Sequence, residues 1–100
     1  MRLLLADDHP MIRAAIEVLL RGTGFELVGM AGSGEATIAE VERLRPDMLL
    51  LDLQMPDGNG LDVLRRLKVG KSPVRVIMLT AGIDDSALLE AKSLKVHGIV

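Results

Sequence analysis

Four polar side chains follow three strongly apolar runs of this sequence, and they are of types that bind metal ions and phosphoryl groups. Asp7 and Asp8 follow LLLA, Asp52 follows LLL, and Thr80 follows VIML. Short apolar runs bounded by polar residues are typical of strands buried on both faces of a parallel sheet. The carboxyl ends of parallel strands lie at one edge, where such sheets bind ligands. The pattern therefore predicts that these four side chains converge on one site.

Three carboxylates at one site would repel one another. At a separation of about 5 Å and an effective dielectric constant near 20, each pair costs roughly 3 kcal/mol. A divalent cation would offset that cost, and the chain offers it oxygen ligands rather than thiolates because it has no cysteine. Carboxylate-rich oxygen ligation suits Mg²⁺, with Mn²⁺ as the alternative. We therefore predict a site for one of these two ions.

Each acidic residue has a simpler interpretation when it is taken alone. Asp8 is placed to cap a helix that begins near Pro10, and Asp52 would suit a turn. Polar residues at the ends of three separate apolar runs are harder to explain as a cap and a turn. The combination favours a functional site over either local role.

Apolar runs alternate with amphipathic helical patterns along the whole chain. The predicted strands are 3–6, 26–31, 48–53, 74–79 and the start of a fifth at 99–100. The predicted helices begin at Pro10, after Ser33, after a turn at 58–60, and at Asp84, the last of them running to about Lys95. This alternation predicts one α/β domain with a parallel sheet and helices on both faces.

The composition narrows the range of functions. The chain has 100 residues, 49% of them hydrophobic, and a formal net charge of -2. This charge is too close to neutral to indicate nucleic acid as the main partner, and Phe25 is the only aromatic residue on which a base could stack. No apolar run approaches the roughly 20 residues of a membrane-spanning helix, so no membrane partner is expected.

Three motifs resemble those of the receiver domains of two-component response regulators. LLLADDHPMIR, LLLDLQMPDGNGLD and VIMLTA occur in the order and at the spacing of that family. The DDHP tetrapeptide resembles the corresponding motif of the NarL/FixJ subfamily. Members of that subfamily usually carry a C-terminal DNA-binding output domain of the LuxR type. The resemblance covers residues 1–100. It implies a flavodoxin-like (CheY-like) doubly wound parallel sheet with strand order 2-1-3-4-5.

The resemblance also implies a role for each residue of the site. Asp52 would be the phosphoacceptor and a Mg²⁺ ligand. Asp8 would bind Mg²⁺ directly, Asp7 mainly through water, and Gln54 through its backbone carbonyl. Thr80 would donate a hydrogen bond to a phosphoryl oxygen. Carboxylates do act as covalent nucleophiles, and phosphoryl transfer depends mostly on positioning and charge neutralisation.

The function implied by the resemblance is a phosphorylation-controlled switch rather than an enzyme acting on a separate substrate. A sensor histidine kinase would phosphorylate Asp52, and the surface after the third and fourth strands would change. A C-terminal DNA-binding output domain would then control transcription, so this domain itself would not contact nucleic acid. Such proteins are cytoplasmic.

The chain departs from the family pattern at its carboxyl end. The lysine that pairs with the phosphoryl group would fall two residues beyond Val100, and the final helix is absent. Ile99 takes the place of the usual aromatic switch residue, and Lys95 that of a helix-ending glycine. We expect an incomplete fifth strand, either because the sequence covers part of a longer chain or because a homodimer or segment exchange completes the fold.

Three other interpretations stay open. The first is a receiver-like protein-interaction module that is never phosphorylated. The second is an aspartate-nucleophile phosphotransferase or phosphatase, and the third is a flavin-binding domain. The residues after the first strand do not suit these last two. His9 is expected to pack beside the site without a role in it.

The first helix carries two apolar stripes. One of them consists of Ile12, Ile16, Leu19 and Leu20. The other consists of Met11, Ala15 and Val18, and it is either a surface for the kinase or part of a wider buried face.

Overall fold

The core of the protein is a five-stranded parallel sheet. A computed structural model describes residues 1–7, 9–52, 54–55, 58–79 and 98–99. The strands are β1 (Arg2–Ala6), β2 (Glu26–Ala31), β3 (Met48–Asp52), β4 (Arg75–Leu79) and β5 (Gly98–Ile99). They are arranged in the order 2-1-3-4-5. This confirms the predicted fold class and strand order.

Three helices connect the described strands. They are α1 (Pro10–Leu20), α2 (Gly34–Leu44) and α3 (Gly60–Val69). A short antiparallel hairpin of Gln54–Met55 and Gly58–Asn59 precedes α3, where the sequence had indicated only a turn at 58–60. The helix predicted to begin at Asp84 lies outside the described residues. Within the described ranges, no helix has the length and apolarity needed to cross a membrane.

The hydrophobic core lies on one face of the sheet. Leu4 pairs with Leu49, and Leu49 pairs with Val76, so three strands present apolar side chains at the same level. All three residues are buried. Val41 of α2 and Leu64 of α3 belong to the same buried cluster, as the helical periodicity predicted. Helices α2 and α3 therefore cover this face.

The described helices cover the opposite face less completely. Leu50 and Ile77 alternate with the core residues along β3 and β4, and both are only half-buried. Helix α1 has no buried residue, and Leu19, on its predicted inner stripe, is 70% exposed. The hydrophobic periodicity located this helix correctly. It did not show how little of the helix would be buried.

Local interactions at the helix starts explain where the helices begin. Ser33 caps α2, because its Oγ accepts a hydrogen bond from the Ala36 N–H at 3.0 Å. The hydroxyl of the buried Thr37 donates to the Ser33 carbonyl at 2.7 Å. Helix α1 begins at Pro10 with His9, not Asp8, as its N-cap residue, and His9 makes no side-chain capping bond. Asp8, which the sequence offered as a cap, lies outside the described residues.

Two helices end on cations in the left-handed conformation. Arg45 caps α2 with φ 45°, and Lys71 follows α3 with φ 55°. Ser72 and Lys71 donate backbone hydrogen bonds to the Leu67 and Lys68 carbonyls, the pattern in which glycine usually takes the left-handed position. A left-handed non-glycine residue costs about 1–2 kcal/mol, whereas a cation near a helix carboxyl end gains about 0.3–1 kcal/mol. The helix dipole alone does not offset the strain.

We expect Ser33→Ala to lower the free energy of unfolding by about 1 kcal/mol, because the Ala36 N–H loses its acceptor. Urea denaturation of the variant beside the parent measures this. Ser33→Asn retains an acceptor at the cap and should stay close to the parent. An unchanged free energy of unfolding in Ser33→Ala would show that the cap contributes nothing.

Candidate metal and phosphoryl site

Neighbouring parallel strands deliver two carboxylates to one edge of the sheet. Ala6 pairs with Leu51 in the register of β1 and β3, so the residues that follow, Asp7 and Asp52, lie side by side. The backbone N–H of Asp7 donates to the Ala31 carbonyl at 2.9 Å, which continues the β1–β2 ladder past the last residue of β1. The position of Asp7 is therefore fixed by the sheet rather than by a free loop.

Asp7 is buried and is held by the residue two positions later. Its Oδ1 accepts a hydrogen bond from the His9 backbone N–H at 2.8 Å, and it lies 2.6 Å from His9 Nδ1. The Asp7 side chain is only 5% exposed, whereas the His9 ring is 64% exposed. Two contacts on one oxygen fix the orientation of the Asp7 carboxylate. The other oxygen, Oδ2, can then serve a second partner.

Three described side chains form a group that could bind a divalent cation. Asp7, His9 and the half-buried Asp52 each offer one ligand atom, and these atoms lie within 4.8 Å of one another. Two carboxylates suit Mg²⁺ or Mn²⁺. An imidazole that holds a carboxylate ligand in place is a common outer-shell partner of metal sites. The donor set therefore fits the ion that the sequence predicted.

The structure describes only part of the predicted site. It brings Asp7 and Asp52 together, and the Gln54 backbone pairs with Asn59 in the hairpin that follows Asp52. Asp8 and Thr80 lie outside the described residues. Leu79, which precedes Thr80 in the chain, pairs with Asp52. The roles of these residues in metal and phosphoryl binding stay predictions.

His9 is the residue whose contact with the site the sequence analysis missed. It was expected only to pack beside the site, yet it makes the two contacts that orient Asp7. The spacing of the two residues was the signal in the sequence. An aspartate side chain can accept a hydrogen bond from the backbone N–H two residues later, and His9 lies two residues after Asp7. The ring contact depends on a side-chain rotamer, which the spacing does not determine.

Comparisons with known proteins agree with this fold and identify its family. A family model described as "Response regulator receiver domain" matches residues 3–100. "DNA-binding response regulator MtrA" of Mycolicibacterium smegmatis is 42% identical over 83 residues, which are 83% of this chain and 36% of that protein. "Response regulator protein VraR" of Staphylococcus aureus is 35% identical over 91 residues, 90% of this chain and 44% of that protein. The chain thus spans less than half the length of these curated relatives.

Solved structures show the same architecture. A DNA-binding response regulator of the LuxR family from Staphylococcus aureus superimposes with a TM-score of 0.89 at 27% identity, covering 99% of this chain and 83% of that one. The receiver domain of the putative response regulator NarL from Mycobacterium tuberculosis superimposes with a TM-score of 0.87 at 27% identity. The match covers 98% of this chain and 80% of that one. These neighbours agree with the NarL/FixJ-type subfamily that the DDHP motif indicated.

We expect Asp52→Asn to raise the free energy of unfolding by about 1 kcal/mol in the presence of a chelator, because it removes the repulsion between Asp52 and Asp7. Urea denaturation with and without the chelator tests this. Glu42→Gln removes one negative charge from an exposed position and should change stability little. A loss of stability in the Asp52 variant would contradict close approach of the two carboxylates.

Proposed function

Because this chain belongs to the response regulator receiver domain family, we propose that Asp52 accepts a phosphoryl group and that the protein is a signalling switch. The observation that supports this proposal is that Asp52 and Asp7 lie at one edge of the sheet. One ligand atom from each of them and one from His9 lie within 4.8 Å of one another. The half-buried position of Asp52 lets a donor reach its carboxylate. The buried position of Asp7 suits a ligand that stays in place.

The proposed reaction is a displacement at phosphorus. A carboxylate oxygen of Asp52 forms a bond to the phosphorus atom, and the bond from phosphorus to the donor breaks. The donor is a phosphohistidine of a sensor kinase, whose imidazole nitrogen keeps the electrons of the broken P–N bond, or acetyl phosphate, whose acetate leaves with the electrons of the broken P–O bond. The product is an acyl phosphate on Asp52. The protein transfers and later hydrolyses only its own phosphoryl group, so it acts on no separate substrate.

Charge neutralisation is the main requirement of this reaction. A Mg²⁺ ion, or Mn²⁺ in its place, would neutralise the phosphoryl oxygens, as receiver domains generally require at their acidic pocket. Asp7, Asp8, Asp52 and the Gln54 carbonyl would hold it. His9 would fix Asp7 through Oδ1, which would leave Oδ2 as the oxygen that Asp7 can offer to an ion. Thr80 would donate a hydrogen bond to the phosphoryl group.

The output of the switch is proposed from the relatives. MtrA is named a DNA-binding response regulator, and this chain matches only 36% of it. We expect a DNA-binding output domain outside the matched region, which would control transcription in the cytoplasm. The added negative charge at Asp52 would shift the segments after β3 and β4 and alter the surface that the output domain meets.

We expect the protein to gain the mass of one phosphoryl group when it is incubated with acetyl phosphate and Mg²⁺. Intact mass spectrometry with and without a chelator measures the adduct. Asp52→Asn should abolish it, whereas Asp62→Asn, an exposed change on α3, should retain it. A folded protein that takes up no phosphoryl group would instead be a phosphorylation-independent interaction module.

We expect His9→Ala to weaken Mg²⁺ binding by about tenfold, because Asp7 loses one of the two contacts that orient it. Asp7→Asn should weaken binding further, and Glu42→Gln should leave it unchanged. Isothermal titration calorimetry measures all three affinities without any phosphoryl donor. Unchanged binding by His9→Ala would show that the ring contact does not position Asp7 for the ion, and tighter binding would show that the ring competes with the ion for Asp7.

A further inference from the structure

A second site lies at the opposite end of the sheet. A cavity of about 360 Å³ opens between the carboxyl ends of α2 and α3, beside the segments that lead into β3 and β4. These segments meet the amino ends of the strands, whereas Asp7 and Asp52 lie at the carboxyl ends. The cavity therefore shares no residue with the metal and phosphoryl site. Its size is at the lower end of the range for small-molecule sites.

The floor of this cavity is apolar. Val41, Leu67 and Val74 line it, and all three are buried residues of the hydrophobic core. Pro46 and Pro73 contribute further apolar surface. A ligand with an apolar body would be desolvated against this floor, and the release of water from both surfaces would favour binding.

The rim is positively charged. Arg45, Arg66 and Lys71 line the cavity, with Glu42 as the one acidic residue among the lining side chains. Arg66 forms an ion pair with Glu35 at 2.5 Å. Within the described part of the chain, Arg45 and Lys71 take part in no ion pair. Two cations at the rim are thus available to an anionic group.

The backbone at these two cations is unusual. Arg45 and Lys71 are the described non-glycine residues with positive φ, and glycine would be less strained at either position. Gly70 directly precedes Lys71 but does not occupy the left-handed position. The strain and the charge coincide at the same cavity. Persistent strain of this kind often accompanies a binding role.

We propose that this cavity binds a small organic anion with an apolar body, of the class of aryl or medium-chain alkyl carboxylates. The apolar body lies on the floor formed by Val41, Leu67 and Val74. The carboxylate lies at the rim, where Arg45 and Lys71 donate charge-assisted hydrogen bonds. Inorganic phosphate lacks the apolar body and would bind much more weakly.

The test uses 2-naphthoate, a fluorescent aryl carboxylate. The protein contains neither tryptophan nor tyrosine, so the probe is observed without protein background. Fluorescence anisotropy should show saturable binding to the parent. The uncharged 2-naphthamide should bind at least tenfold more weakly, because it offers the cations no charge.

The decisive variant is Arg45→Gly combined with Lys71→Gly. It removes both cations and relieves the backbone strain, so it should stay folded with unchanged or greater stability and bind the probe at least tenfold more weakly. Arg45→Lys and Lys71→Arg keep the charges and should keep most of the affinity. Arg13→Gln combined with Arg21→Gln removes two cations near the exposed α1 and should leave binding unchanged.

Three results would overturn the proposal. They are the absence of saturable binding to the parent, unchanged affinity in the Arg45 and Lys71 glycine variant, and an equal loss in the Arg13 and Arg21 variant. The last result would place the probe on the exposed apolar surface of α1. Phosphoryl uptake at Asp52 uses separate residues, so its failure and the failure of this proposal are distinguishable.

Discussion

The close approach of Asp7 and Asp52 is the constraint to which the rest of the site is fitted. Parallel pairing of β1 with β3, in the register that sets Ala6 beside Leu51, forces the two carboxylates together. Their repulsion is on the order of 1–3 kcal/mol, depending on how far solvent screens it. Burial of one leucine side chain contributes about 1.5–3 kcal/mol. Leu4, Leu49 and Leu51, all 0% exposed, are therefore sufficient to hold the acidic edge in place.

Hydrogen bonds lower the free-energy cost of burying the Asp7 carboxylate. Asp7 is buried, so an unsatisfied charge there would be expensive. The two contacts of His9 with Asp7 Oδ1 reduce this penalty and also fix the direction of Oδ2. Asp52 is half-buried and can be approached from solvent. The difference in burial suits Asp7 to the proposed role of a positioned ligand and Asp52 to the proposed role of phosphoryl acceptor, although both residues are aspartates at strand ends.

The two faces and the two edges of the sheet are not equivalent. Of the described helices, α2 and α3 pack closely on one face, whereas α1 has no buried residue and leaves apolar side chains exposed. The carboxyl edge carries acidic groups that suit a cation, whereas the amino edge carries the cavity with Arg45 and Lys71 at its rim. A cation and an organic anion would thus bind at opposite edges of the same rigid sheet.

The sequence by itself determined most of the described strands and helices and the placement of Asp7 and Asp52 at one edge of the sheet. Short, continuously apolar runs become central strands because both faces of a parallel sheet are buried. Helix α2 begins after Ser33 because the Ser33 hydroxyl oxygen accepts a hydrogen bond from the Ala36 N–H. The strand order came from the resemblance to a family, since periodicity does not specify which strands are neighbours. Asp7 and Asp52 were found from their positions at strand ends.

Only the tertiary structure decided the features that depend on distant parts of the chain. The exposure of Leu19 depends on what packs against α1, which a helical pattern cannot report. The contact of the His9 ring with Asp7 requires one rotamer. The left-handed conformations of Arg45 and Lys71 run against the local preference for glycine, and backbone hydrogen bonds to the preceding helices accompany them. Local sequence sets what each segment favours, but contacts between segments select among those options and can override them.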